Sequence, residues 1–436
     1  MTRSYAQDPG RIADLARAIR GGSLTASGLL DRCLARIDAA EPTVQAWREV
    51  ARDAARAEAA ALDAEAKAGR FRGPLHGIPV GIKDIIDVRG MTTLANSRSR
   101  QGVPPATADA EIVAVLRLAG AVILGKLHTT EFAFFDPSPA RNPHDPEHTP
   151  GGSSSGSGAA VAAGMVPLAL GTQTVASVNR PAAYCGVAAF KPSTQSMPTH
   201  GIVPLAPAFD TVGLYGATVA DAATLFEAVC PAHLRRPGGA VPERLRIVRL
   251  EDPALAGCDP EIMMALGAAA ERLAAAGQEV RSASAPDSFA ALFETQLMLA
   301  KYEAARIHRP LQDAPEGSVG PKFREMLATG LAIPDAHYRD GRALFAAARE
   351  RFWTAFADTD LLLFPAAPAT APAGLASTGD PSYISPWTGL GGPIVTLPAG
   401  QHSNGLPVGI LLCGAPGSDW RFAQVARRVA EICGEG

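Results

Sequence analysis

The sequence is short of charge, of aromatic side chains and of long apolar runs, and each shortage removes a class of protein. Charged residues fill 19% of the 436 positions, and 40 Lys and Arg against 43 Asp and Glu leave a net charge of −3. With no strong field of either sign, general binding of nucleic acid or of an anionic membrane surface is not expected. The longest apolar stretches, 159–171 and 361–374, fall short of the roughly 18 residues of a spanning helix, and Pro365, Pro368 and Pro372 break the second. Neither spans a membrane. Six cysteines (Cys33, Cys185, Cys230, Cys258, Cys413, Cys433) form no C-x-x-C pair and no zinc-ribbon spacing, so they read as reduced thiols of a cytoplasmic protein. The opening MTRSYAQDPGRIADLARAIR lacks the apolar core and cleavage site of a secretory signal. Glycine (43) and proline (36) stay below the share of about 25–30% that marks low-complexity chains. What is present, 47% apolar residues with only 6% aromatic, predicts a globular core built mainly from Ala, Val, Leu and Ile.

Hydrophobic spacing organises the chain. From Arg11 to about Ala68, Ile12, Leu15, Ile19, Leu29, Leu30, Cys33, Leu34 and Ile37 recur at helical intervals. The run PLHGIPVGIKDIID (74–87) then predicts a short strand with Val80 and Ile82 on one face and Gly81 and Lys83 on the other. A helix over 108–118 and a buried strand GAVILG (120–125) follow. Residues 142–158 (NPHDPEHTPGGSSSGSG) are too rich in Pro, Gly and Ser for a regular element and are expected to be loop. AAVAAGM suits a tight helix and VPLALG a buried strand, leading into Thr172-Gln173-Thr174-Val175-Ala176-Ser177. Residues 218–350 are mainly Ala-rich helical pattern around the strand-like LRIVRL (245–250), and strand patterns return at 361–366, 393–400 and 407–414. Helix and strand alternate as in a layered α/β fold.

The chemistry-bearing residues cluster in the first half. GGSSSGSG is no P-loop, because no Lys follows the glycines as that motif requires. Residues 152–156 fit G-x-S-x-G with Ser154 at the centre, but a nucleophile elbow needs a strand directly before it, and NPHDPEHTPG cannot be one. Lys83 is the candidate base, since a desolvated neutral amine can take a hydroxyl proton; the alternative is an ammonium that snorkels out to solvent. His144 and His148 have the i, i+4 spacing of a metal pair, but Pro143 and Pro146 forbid the helix that would join them. No metal site is expected.

The runs GIPVGIKD, TPGGSSSGSGAAVAAGMVPLALGTQT, SVNRPAAYCGVAAFKPS and TGDPSYISPWTGLGGPIVTLPAG together resemble the amidase signature family over nearly the whole chain. The resemblance implies a single large α/β domain with a mixed, mostly parallel β-sheet covered by helices. Within it, 1–70 would hold N-terminal helices, 71–217 the catalytic motifs, 218–350 a mainly helical region and 351–436 the C-terminal part of the core. It further implies a Ser-Ser-Lys triad of Ser177 (nucleophile), Ser153 (bridging serine, after a cis Gly152–Ser153 bond) and Lys83 (ultimate base), acting on a carboxamide through an acyl-enzyme without metal or cofactor. Backbone donors of 173–177 would hold the oxyanion, with Gln173 and Thr174 lining that region and Ser154 and Ser155 supporting the loop. A homodimer is typical of the family.

Two departures qualify this. Val175-Ala176 stands where the family usually has Gly-Gly, and a β-branched residue disfavours positive φ. Asn179 stands where many members carry Arg, and Arg180 follows. SVNRPAAYCG is similar to the subgroup acting on small acidic amides such as malonamate, which implies that Arg180 pairs with a substrate carboxylate; the alternative ties Arg180 to structural carbonyls or to an acid such as Asp210. The expected partner is a small-molecule amide, with Phe134, Phe135, Met298 and Tyr302 as candidate pocket walls. A catalytically impaired homologue that binds ligand, or an amidotransferase subunit, is the alternative function.

Overall fold

The computed structural model describes residues 9–235 and 241–435; the part of the signal-sequence expectation that rests on residues 1–8 lies outside them. The amphipathic opening folds as α1 (Ile12–Arg20), α2 (Ala26–Val44) and α3 (Arg52–Lys67), with a short strand β1 (Trp47–Val50) between the last two. Helix α2 starts where the Thr25 side chain accepts from the Gly28 N–H, and it buries the predicted stripe Leu29, Leu30, Cys33, Leu34 and Ile37. Next come β2 (Pro79–Lys83), α4 (Glu111–Leu118), β3 (Val122–Leu127), α5 (Ser155–Ala162), β4 (Leu168–Gln173), α6 (Asn179–Cys185), β5 (Ala188–Lys191) and β6 (Thr211–Gly216).

The Ala-rich middle contributes α7 (Val219–Val229), β7 (Arg246–Glu251), α8 (Pro260–Ala275), β8 (Glu279–Ser284), α9 (Phe289–Ile307), α10 (Pro321–Leu331) and α11 (Asp335–Ala355). Strand β8 was not visible in the sequence pattern because it is an edge strand that is largely exposed. The chain closes with β9 (Leu361–Pro365), α12 (Ser385–Leu390), β10 (Ile394–Gln401), β11 (Pro407–Cys413) and α13 (Asp419–Cys433).

All eleven strands join one sheet in the order β1-β3-β2-β4-β6-β5-β10-β11-β9-β7-β8, so the described chain is a single α/β domain around a mixed sheet. The expectation of a mostly parallel sheet needs correction. Parallel pairs occur only towards the two ends, β3-β2-β4 and β9-β7-β8. From β4 to β9 every pair is antiparallel, partly because β10 and β11 are joined by a short turn, which only antiparallel neighbours permit.

The loop expected over 142–158 ends early, since its SGSG already forms the first turn of α5. Small residues are required there: a Cβ on Gly156 would sit 2.3 Å from the Ala46 carbonyl oxygen. Phe289, Phe345, Phe352, Phe364 and Trp387 share one buried cluster under α9, α11 and α12, which gives those helices a stiff seat.

Candidate active site

Strands β2 and β4 are parallel neighbours in the register Val80↔Leu168, Gly81↔Ala169 and Ile82↔Leu170. Their carboxyl ends therefore emerge side by side, the position where open α/β sheets place ligands. Lys83 closes β2 and is fully buried. Its Nζ lies 2.7 Å from Ser153 Oγ, 3.0 Å from Ser154 Oγ and 2.8 Å from Thr172 Oγ1. Besides these hydroxyls the amine reaches the Thr172 carbonyl at 3.5 Å, and none of its contacts is a carboxylate. Burial holds the Lys83 pKa well below the ordinary 10.5, although the charge of Asp210 opposes the shift.

Ser153 and Ser154 reach this amine from the turn before α5, where the Gly152–Ser153 peptide is cis. The Ser154 N–H donates to the Ser177 carbonyl at 3.2 Å, which ties this turn to the segment after β4. Ser154 Oγ also accepts from the Thr172 N–H at 3.2 Å. So close an approach needs Gly171, because a Cβ there would lie 2.7 Å from that hydroxyl.

The segment 174–177 is held from several directions. Gln173 Oε1 accepts the N–H groups of Val178 and Asn179 at 2.8 and 3.0 Å, while its Nε2 donates to Thr388 Oγ1 at 2.9 Å. The Thr388 hydroxyl donates to the Val175 carbonyl at 2.7 Å, and Gln296 Nε2 donates to the Thr174 carbonyl at 2.9 Å. Ser385 in turn donates to Gln296 Oε1. In a planar trans peptide N–H points away from C=O, so pinning these two carbonyls aims the Val175 and Ala176 N–H groups in the opposite direction. Neither N–H, nor that of Ser177, donates to a described residue. Neither Val175 nor Ala176 has positive φ, so the backbone conformation that a β-branched residue disfavours is not used there. The loop accepts side chains there by using ordinary backbone conformations.

Arg180, on the first turn of α6, is 2% exposed. Its Nη1 donates to the Gly379 carbonyl at 2.7 Å, and its Nη2 donates to the Gly152 carbonyl and Thr378 Oγ1 at 2.8 and 2.9 Å. The tie to structural carbonyls is therefore real, but the tie to Asp210 is not. Asp210 instead accepts from Thr174 Oγ1 at 2.5 Å and from the N–H groups of Leu205 and Ala206. Arg180 Nε is buried without a partner, and burial lowers its pKa to about 10. No described carboxylate forms an ion pair with it.

Thr174, Val175, Ala176, Ser177 and Arg180 line one narrow slot of about 20 Å³, walled by Phe134, Phe135, Leu297 and Ala300. A larger cavity of about 390 Å³ shares Phe134 and Phe135 with it and is also lined by Thr378 and Gly379, the partners of Arg180.

Of the pocket walls expected from sequence, Phe134 and Phe135 are in place, whereas Met298 and Tyr302 are not. Met298 lies against Gly341 and Tyr302 stacks on Tyr338 at 4.1 Å, both towards α11. At about 100° per residue, the face of α9 turned to the site carries Gln296, Leu297 and Ala300 instead. Sequence reasoning also missed Thr172, Thr388 and Thr378, whose hydroxyls carry no local pattern. His144 contacts the Cys185 carbonyl and His148 contacts Asp145, each at 2.9 Å. Among the described residues no group of three or more potential ligands could hold a metal ion.

A buried lysine of depressed pKa thus faces hydroxyls at the strand ends of a mixed α/β sheet. The chain belongs to the amidase family, whose model, described as Amidase, matches residues 28–422. It is 33% identical to a glutamyl-tRNA(Gln) amidotransferase subunit from a Synechococcus species, with 96% of each chain covered. Among solved structures it superposes on a chain from a vestigial protein complex, described as revealing the evolutionary origins of an s-triazine catabolic enzyme, with a TM-score of 0.88 at 28% identity and 98% of each chain covered. It also superposes on the native peptide amidase of Stenotrophomonas maltophilia, with a TM-score of 0.82 at 30% identity, covering 98% of this chain and 97% of that one.

Proposed function

We propose that the protein hydrolyses a carboxamide C–N bond, with Ser177 as nucleophile, Ser153 as bridging serine and Lys83 as base. The observation that carries this reading is the contact of 2.7 Å between a buried Lys83 amine of depressed pKa and Ser153 Oγ. A neutral amine can accept a proton from Ser153 as Ser153 accepts one from Ser177, and Ser177 Oγ then bonds to the amide carbon. The N–H groups of Val175, Ala176 and Ser177 stabilise the oxyanion, Gln173 and Thr174 hold their loop, and Ser154 steadies the lysine. The C–N bond breaks as the proton passes to the departing nitrogen. Water then cleaves the acyl-enzyme ester by the same relay, which returns the serine.

A small amide bearing a carboxylate is the substrate this reading favours. A buried guanidinium without a carboxylate partner is costly, and a substrate anion in the slot would compensate Arg180. The curated relatives do not point to the subgroup acting on small acidic amides, so the case for such a substrate rests on Arg180 itself. The relatives favour a second reading, an amidotransferase subunit that depends on partner chains. A cytoplasmic homodimer belongs to the first reading, and cysteines outside disulfides fit a reducing compartment.

Ammonia release from acidic, neutral and aromatic amides tests the proposal. Wild type purified alone should turn over at least one acidic amide, and Ser177→Ala should abolish it. Turnover that appears only with added subunits would transfer the assignment to the second reading.

A further inference from the structure

The larger cavity opens beside the slot and is lined by Lys301 on α9 and Lys322 on α10. The chain has only six lysines, and Lys83, Lys126 and Lys191 are fully buried. Two of the three that remain thus line one cavity. Lys322 Nζ donates to the Ala376 carbonyl, and neither Lys301 nor Lys322 forms an ion pair with a described carboxylate. One acidic side chain, Glu325, also lines the cavity and is exposed at its rim. The balance is one uncompensated positive charge beside an aromatic wall, Phe134 and Phe135, that is shared with the slot.

We propose that this cavity is a second subsite, which takes the terminal carboxylate of an elongated amide while the amide group occupies the slot. The inference rests on the amidohydrolase reading and extends it from short acidic amides to long ones. Arg180 serves a carboxylate close to the reacting carbon. Lys301 and Lys322 serve one that a methylene spacer carries past Phe134 and Phe135, where the apolar spacer lies against the rings. Glu325 opposes this binding and limits it.

The test uses the monoamides of linear dicarboxylic acids, from malonamate through adipamate to suberamate, each compared with the neutral alkyl amide of equal length. For the long members, the ratio of kcat/KM for acidic over neutral amide should fall roughly tenfold in the double variant K301A/K322A, through KM, as expected for two partly exposed charges. E325Q should raise the same ratio, a change of opposite sign that loss of folding cannot mimic. A ratio that is unchanged in both variants, or an acidic preference confined to malonamate, overturns the subsite. If wild type turns over no amide, the hydrolase reading fails separately. Calorimetric titration with adipate then decides the cavity: binding to wild type that weakens in K301A/K322A supports it, and no binding to wild type overturns it.

Discussion

Two lysines on neighbouring strands are equally buried and chemically opposite. Lys83 ends β2 and Lys126 lies beside it on β3, where it is the register partner of Ile82, and both have no exposed surface. Lys126 Nζ forms an ion pair of 3.0 Å with Asp84 and donates to Thr93 Oγ1 at 2.9 Å, while Arg48 reaches the same carboxylate at 3.3 Å. Lys83 touches three hydroxyls and, at 3.5 Å, the Thr172 carbonyl, but no carboxylate. Burial pushes both pKa values down, but around Lys126 the adjoining carboxylate pushes back with a Coulomb attraction and a hydrogen bond. Around Lys83 only the charge of Asp210 does so, without a contact. Similar burial therefore leaves a lysine paired with a carboxylate at one site and, at the other, an unpaired amine of the kind the proposed relay requires.

Replacing each lysine by methionine breaks this comparison most sharply. Lys83→Met should lower kcat by about 10²–10⁴-fold, the usual worth of a positioned base, while costing only about 1–2 kcal/mol of stability for lost neutral hydrogen bonds. Lys126→Met should do the reverse and cost about 3–5 kcal/mol, because it strips a partner from a buried carboxylate. Steady-state kinetics and urea unfolding of the two variants read both effects. Equal stability losses would mean that Lys83 is charged as well.

The pH dependence sharpens the contrast. The folded state holds Lys83 below its unfolded value of 10.5, so between those values the unfolded chain binds a proton that the folded chain does not. Stability contributed by Lys83 is therefore complete above 10.5 and is lost as pH falls towards the folded value, and Lys83→Met should flatten that slope. kcat/KM should rise with pH on a limb centred well below 10.5. A limb centred at 10.5 would identify Lys83 as an ordinary ammonium.

The smallest effect is expected at the loop. Gln296→Leu leaves the Thr174 carbonyl unpaired and loosens the direction of the Val175 N–H, which should reduce kcat about tenfold with KM nearly constant. A change confined to KM would show that Gln296 shapes the pocket instead.

Much of this region was legible because its parts are continuous in sequence. The apolar run before Lys83 marked β2, VPLALG marked β4, and the Ser- and Gly-rich turn stood out by composition. The helical phase of α9 was not legible, which is why Met298 and Tyr302 stood in for Gln296, Leu297 and Ala300. An Ala-rich helix with weak amphipathicity does not announce which face meets the sheet. The Thr388 hydroxyl lies more than 200 residues from the two groups it bonds, Gln173 and the Val175 carbonyl, and no periodicity links them. The direction of the central strands also escaped, because an alternation of helix and strand is compatible with either pairing.

Residue order was enough to place a lysine at a strand end, two serines after glycines and a third serine beyond a second strand, since backbone propensity and apolar spacing act over a few residues. The charge state of that lysine, the partners of Arg180 and the aim of the loop N–H groups exist only once distant segments have packed. Each depends on how far away the nearest carboxylate, carbonyl or water lies in space, and desolvation and Coulomb energy follow that distance rather than separation along the chain.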